Sequence, residues 1–267
     1  APEAKAGHYD VIIRGGTVYD GSGGPGKVTS VAIEDDRIAA IGPLAGAEAE
    51  TVIDAEGQAV APGFINMLSW AVEDLIEDGR SLGDISQGVT LEVFGEGVSY
   101  GPWSEEIKRQ AKARQSDIVY DIEWTTLGEY LEYLERKGVS PNVASFVGAT
   151  TLRASVIGYD NRAATPEELD EMQQMVREAM DEGAMGVGSS LIYAPANFAN
   201  TEELTALVAA AAESEGMYIS HIRSEDEELL EAVDELIGIA RATGAPAEIY
   251  HLKASGRANW SKLDDVI

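Results

Sequence analysis

The spacing of apolar and polar positions changes character near Pro62. Before it, short alternating runs end in Gly, Pro and Asp turns, a pattern that predicts strands. "YDVIIRGGTVYDG" alternates and then breaks at Gly15-Gly16, "VTSVAIEDDRIAAIG" turns at Asp35-Asp36, and "TVIDAEGQAVAPG" turns at Glu56-Gly57. The "GSGGPG" run at 21–26 invites comparison with a phosphate loop. No helical pattern follows it, so it reads as a hairpin loop.

After Pro62 the pattern becomes strand, helix, strand, helix. The segments "GFINML", "GVTLEVFGE", "NVASFVGAT", "GAMGVGSSL", "GMYISHI" and "PAEIYHLK" predict six strands, with helical segments between most of them. In "TPEELDEMQQMVREAMDEG", Thr165 is placed to cap, Pro166 suits the first turn, Glu168 completes a capping box and Gly183 ends the helix. "NTEELTALVAAAAESEG" and "SEDEELLEAVDELIGIARATG" follow the same design. Alternation of this kind argues for an α/β fold with a parallel sheet, either a (β/α)₈ barrel or an open doubly wound sheet. The final "NWSKLDDVI" starts a helical run without a terminating cap, and a closed barrel needs about eight strands. The chain therefore reads as part of a protein, completed by a companion chain, a proteolytic partner or further sequence.

Charge narrows the partners. With 19 Lys+Arg against 47 Asp+Glu, the net charge is −28. So acidic a chain repels phosphate backbones, which argues against nucleic acid and for a solubility surface. No apolar run is long enough to span a bilayer. The absence of cysteine removes disulfides, thiolate nucleophiles and Cys zinc sites together. The start, "APEAKAGHYD", looks like a small-residue cut and a tail, which suits a periplasmic or secreted protein, with a cytoplasmic one as the alternative.

The candidate chemistry sits at strand ends. His8 reads as plain surface. His221 in "YISHIRSE" and His251 in "IYHLKASG" each close a predicted strand, 30 residues apart, which is about one βα repeat. That spacing puts both imidazoles on adjacent strands at one end of the sheet. A metal needs a third ligand. "GVTLEVFGEGVS" offers Glu92 and Glu96, which strand alternation puts on one face. Glu96 falls at the strand end between glycines, whereas Glu92 lies deeper and suits a buried, hydrogen-bonded carboxylate.

Together, "YDVIIRGGTVYDGSG", "VAPGFI", "QGVTLEVFGEG", "GAMGVGSSLIYAPANFANTEEL", "SHIRSE" and "HLKASGRANW" resemble the N-acyl-D-amino-acid deacylase (D-aminoacylase) branch of the amidohydrolase superfamily, in the family's order along nearly the whole chain. The resemblance implies a partial (β/α)₈ barrel of about six βα units over residues 63–267, with residues 1–62 supplying part of a small β-sandwich. It also implies one divalent metal, zinc, held by Glu96 in the place of the family's cysteine and by His221 and His251. The implied reaction is hydrolysis of the amide of an N-acyl-(D-)amino acid or short peptide by a metal-bound hydroxide. Tyr193 resembles the family's carbonyl-holding tyrosine, and Lys253 its carboxylate-gripping base, with Arg223 in a similar position. The family's general-base Asp has no match before residue 267, so no catalytic proton carrier is identified in the chain. The first strand of relatives usually ends in His-x-His, but here those positions are Leu68 and Trp70. The second metal position of binuclear relatives is therefore expected to be empty. Asn66 and Ser69 remain as hydrogen-bonding groups at the mouth, and Trp70 as a pocket wall.

Two other readings compete. "GVSYG" at 97–101 matches a G-x-S-x-G elbow with Ser99 as nucleophile, although the next helical pattern starts only near Glu105. A non-catalytic binding or regulatory relic of the fold is the other.

Overall fold

The computed structural model describes residues 8–267; residues 1–7, on which the export expectation rests, lie outside them. The chain divides into two compact units, the first ending at Gly63 and the second running Phe64–Ile267.

The first unit is one five-stranded sheet. β1 (His8–Val18) pairs antiparallel with β2 (Lys27–Glu34) and parallel with β4 (Glu48–Asp54). β3 (Arg37–Gly42) returns along β2 after the turn at Asp35, and β5 (Ala59–Val60) pairs with the far end of β1. The "GSGGPG" run is the hairpin loop between Val18 and Lys27, which face each other across the ladder. Gly15-Gly16 does not end the strand as the pattern predicts. β1 passes through with a bulge, its register against β2 slipping between Ile13 and Gly16. Gly15 takes a φ of 71°, open to glycine without a Cβ penalty, and a Cβ on Gly16 would stand 2.5 Å from a Val60 methyl. The unit buries Tyr9, Ile12, Ala32, Ala40 and Leu44 together.

The second unit is α/β with parallel strands only: β6 (Phe64–Asn66), β7 (Val89–Phe94), β8 (Asn142–Ser145), β9 (Val147–Gly148), β10 (Gly186–Ser190), β11 (Met217–His221) and β12 (Ala247–Ile249). β6 to β8 form one ladder and β9 to β12 another. Phe146 interrupts the single predicted segment that yields β8 and β9. Backbone bonds cross the join, from Phe146 N–H to the Phe94 carbonyl and from Met185 N–H to the Ser145 carbonyl, both 2.9 Å. Strand order therefore follows chain order from β6 to β12.

Helices fill the connections: α1 (Asp74–Glu77), α2 (Leu82–Ile85), α3 (Glu105–Arg114), α4 (Leu127–Lys137), α5 (Ala149–Val156), α6 (Pro166–Asp181), α7 (Thr201–Ala212), α8 (Leu229–Thr243) and α9 (Leu263–Val266). At α6 the Thr165 hydroxyl accepts the Glu168 N–H and the Glu168 carboxylate accepts the Thr165 N–H, so both orphan donors are met. Hydrogen bonds from the Arg162 guanidinium, first, and then from the Thr165 N–H hold the Glu168 carboxyl down at about 2. Met172, Val176 and Ala179 recur on the buried side of α6. α8 starts later than its pattern predicts. The Ser224 hydroxyl accepts the N–H groups of Asp226 and Glu228, giving the backbone a turn in place of the helix's first bonds.

Alternation along β11 sorts the core into two sides. Tyr218 joins the helix-side core with Trp124, Leu152, Met172, Leu204 and Leu236, while Ile219 joins Val93, Phe146 and Tyr250 on the opposite side. Among the described residues no helix is long and apolar enough to cross a membrane.

Candidate metal centre

Next to the smaller core of Val93, Phe146, Ile219 and Tyr250, three groups come from the C-terminal ends of three strands, β7, β11 and β12. His221 is the last residue of β11 and follows Met217 and Ile219 along one face by alternation. His251 lies two residues past β12 with a φ of 36°, a backbone region that non-glycine residues rarely hold. Tyr250 just before it is anchored by its N–H to the Ser220 carbonyl at 2.9 Å.

Glu96 reaches the site by a different route from the one alternation predicts. β7 ends at Phe94, Gly95 takes a φ of 104° and Gly97 one of 75°, so a glycine turn rather than the pleat aims the carboxylate. The turn is tightly enclosed: a Cβ on Gly188 would stand 2.0 Å from the Gly95 carbonyl oxygen, and one on Gly148 2.3 Å from that of Gly97. Glu92 does not share this surface. It alternates with Leu91 and Val93, is fully buried, and accepts the Asn66 side-chain N–H at 3.0 Å.

Glu96 Oε1 stands 3.1 Å from His221 Nδ1 and 3.1 Å from His251 Nε2. The two rings meet nearly at right angles with centroids 4.5 Å apart. One donor atom from each of the three residues lies within 4.8 Å of the others. Tetrahedral N and O ligands at about 2.0–2.1 Å from zinc stand roughly 3.3 Å apart, so both Glu96 contacts are close to the edges of such a site. The other carboxylate oxygen, Glu96 Oε2, accepts the Trp70 indole N–H at 3.0 Å. At the position where the resemblance leads one to expect a histidine, this chain places a hydrogen-bond donor to Glu96. Burial, first, and then the Glu96 charge push the Tyr250 phenol up.

The other candidates sort by what they touch. Tyr193 follows β10, is exposed, and stands edge-on to His221 with centroids 5.5 Å apart. Lys253 contacts Glu225 and lies 3.1 Å from His251 Nδ1. Arg223 turns to Glu235, at 2.9 Å through both Nε and Nη2, and to the carbonyls of Asn197 and Ala199. Ser99 is buried, donates to the Gly101 carbonyl at 2.5 Å and accepts the Gly148 N–H at 2.9 Å. A hydroxyl bonded to backbone on both sides, with α3 starting only at Glu105, is not a nucleophile elbow. Ser69 accepts the Ala71 N–H at 3.2 Å.

Two participants are missed by sequence reasoning. One is the Trp70 donor; the other is Glu225, whose carboxylate lies near both histidines and Lys253. Glu225 sits four residues after His221 in "HIRSE", but the Ser224 turn that aims it has no periodic signature.

No family model matches the chain. A D-aminoacylase of Alcaligenes xylosoxydans xylosoxydans is 35% identical over 260 residues, which cover 97% of this chain and 54% of that protein. The structure of an N-acyl-D-glutamate deacylase from Bordetella bronchiseptica, complexed with zinc and a phosphonate that mimics the tetrahedral intermediate, superposes with a TM-score of 0.84 at 32% identity, covering 97% of this chain and 54% of that one. A D-aminoacylase structure described as having a binuclear metal centre, with one-metal activation and second-metal attenuation, gives a TM-score of 0.86 at 32% identity, covering 96% of this chain and 54% of that one. The chain spans about half the length of the curated relatives it matches. By sequence and fold alike, it belongs to the D-aminoacylase-like branch of the amidohydrolase superfamily.

Proposed function

We propose that Glu96, His221 and His251 hold one zinc ion in a site that hydrolyses the amide of N-acyl-D-amino acids. The convergence of these three side chains at 3.1 Å contacts carries the reading. A zinc ion with an open position polarises a carbonyl and lowers the pKa of its water. The protein's part is to present two neutral imidazoles and a carboxylate in fixed directions, with Glu96 steadied by Trp70. Tyr193 supplies a phenol beside His221 for the substrate carbonyl, and Lys253 a cation for the substrate carboxylate. Arg223 is left out of the substrate set, because four of its five N–H donors are taken by Glu235 and two carbonyls.

The strands run in chain order without the reversal that marks a doubly wound sheet, which supports a partial (β/α)₈ barrel in residues 63–267. The first unit, residues 1–62, is read as part of a β-sandwich. In the relatives the additional length belongs to the same polypeptide, so the comparisons give no support to a separate companion chain. We place the proton carrier outside residues 8–267, since the two carboxylates at the site, Glu96 and Glu225, both face the histidines.

Calorimetry with a phosphonate analogue of an N-acyl-D-amino acid tests this reading. Binding is expected only with zinc present, and more tightly for the D than the L form. Binding that ignores zinc, or no binding, would overturn the deacylase reading and favour a non-catalytic relic. Turnover of N-acetyl-D-amino acids by these 267 residues alone would overturn the placement of the proton carrier.

A further inference from the structure

An imidazole that gives one nitrogen to a metal carries its proton on the other, and that N–H needs an acceptor. Glu96 faces Nδ1 of His221 and Nε2 of His251. With the metal on that side, the protons fall on Nε2 of His221 and Nδ1 of His251. Both of those nitrogens face one atom, Glu225 Oε1, at 3.6 Å and 3.2 Å. The Glu225 side chain is 11% exposed, and its backbone carbonyl accepts the Ser255 N–H at 2.6 Å, which ties the loop after β11 to the loop after β12. The 3.6 Å approach is too long for a hydrogen bond, and the 3.2 Å one is a charge contact only, His251 Nδ1 having its hydrogen bond with Lys253 at 3.1 Å. His221 Nε2 is nevertheless buried and has no hydrogen-bond partner. A buried N–H without an acceptor is costly, and a carboxylate shift of a few tenths of an ångström would supply one.

We infer that Glu225 is the positioning residue of the site: it holds the outward nitrogens of both histidines, so that His221 offers Nδ1 and His251 offers Nε2 to the metal. This rests on the zinc reading above. The histidines are then opposite tautomers, fixed by one carboxylate acting on two strands' loops. Lys253 touches both Glu225 and His251 Nδ1. Once Nδ1 carries a proton it no longer accepts from the ammonium, so Lys253 keeps Glu225 alone.

The test combines zinc affinity by chelator competition with ¹⁵N-imidazole NMR of the zinc-loaded protein. In the wild type one ligating histidine is expected to be protonated at Nε2 and the other at Nδ1. Glu225→Gln, nearly unchanged in size, is expected to bind zinc about 10–100-fold more weakly with the same stoichiometry and an unchanged urea midpoint. Two ligating histidines in the same tautomer, or a Glu225→Gln affinity within about threefold of wild type, would overturn the inference. A wild type that binds no zinc would overturn the zinc reading itself, a distinct failure seen before any variant is made.

Discussion

Glu96→Ala is expected to leave the purified protein without stoichiometric zinc. The substitution removes one of three donors and leaves two imidazoles, which hold zinc poorly on their own. Losing an outer-shell partner alone typically costs 10–100-fold in metal affinity, so losing this ligand should cost about a hundredfold or more. Trp70 loses its acceptor as well, because its indole N–H donates to Glu96. Glu96→Cys separates a ligand role from a packing role. A thiolate is a good zinc ligand, so Glu96→Cys should recover metal while Glu96→Ala does not. Metal analysis after dialysis reads both. Unchanged zinc in Glu96→Ala would remove Glu96 from the ligand set.

The second large effect is on stability. Arg153 on α5 and Glu203 on α7 are 1% and 3% exposed and pair at 2.6 Å. Arg153 Nη2 also donates to the carbonyls of Asp160 and Arg162, holding the loop between α5 and α6. Glu203→Ala leaves a buried guanidinium without its counter-charge, a loss of about 3–5 kcal/mol. That is a large fraction of the roughly 5–15 kcal/mol that keeps a domain folded. The contrast is Glu213→Ala, which breaks the exposed pair with Arg177 and should leave the midpoint nearly where it was, because solvent screens that pair. Urea melts should show a much lower midpoint for Glu203→Ala at a similar slope. Equal midpoints for the two variants would show that the buried pair contributes no more than the surface one. Arg153→Met combined with Glu203→Leu should recover much of the loss, since an apolar pair of similar volume needs no counter-charge.

The parts legible in the sequence are those governed by local rules. Thr165 and Glu168 announce α6 because a capping box needs only residues three apart. β11 shows as an apolar run because a buried parallel strand is covered on both faces, whereas the apolar run at β6 leaves Phe64 and Ile65 exposed. The 30-residue spacing of His221 and His251 reads through because β11 and β12 are neighbours in the ladder.

What escaped depends on single backbone angles and on contacts between distant loops. Gly15-Gly16 bends β1 instead of ending it, since β2 continues the pairing on one side and β5 takes over from β4 on the other. Gly95 breaks the alternation, so Glu92 and Glu96 part company although four residues apart. α8 is delayed by one serine hydroxyl, and the loop so formed carries Glu225. Trp70 reads as a lost ligand in the sequence; only its 3.0 Å contact with Glu96 shows it as a hydrogen-bond donor to that carboxylate.

The most direct measurement is a zinc titration of metal-stripped protein, by calorimetry with parallel elemental analysis. One zinc per chain is the expected result, with no second site at excess zinc, because Leu68 has no donor atom and Trp70 occupies Glu96 Oε2. Zero zinc, or two, would contradict a one-metal site built from Glu96, His221 and His251.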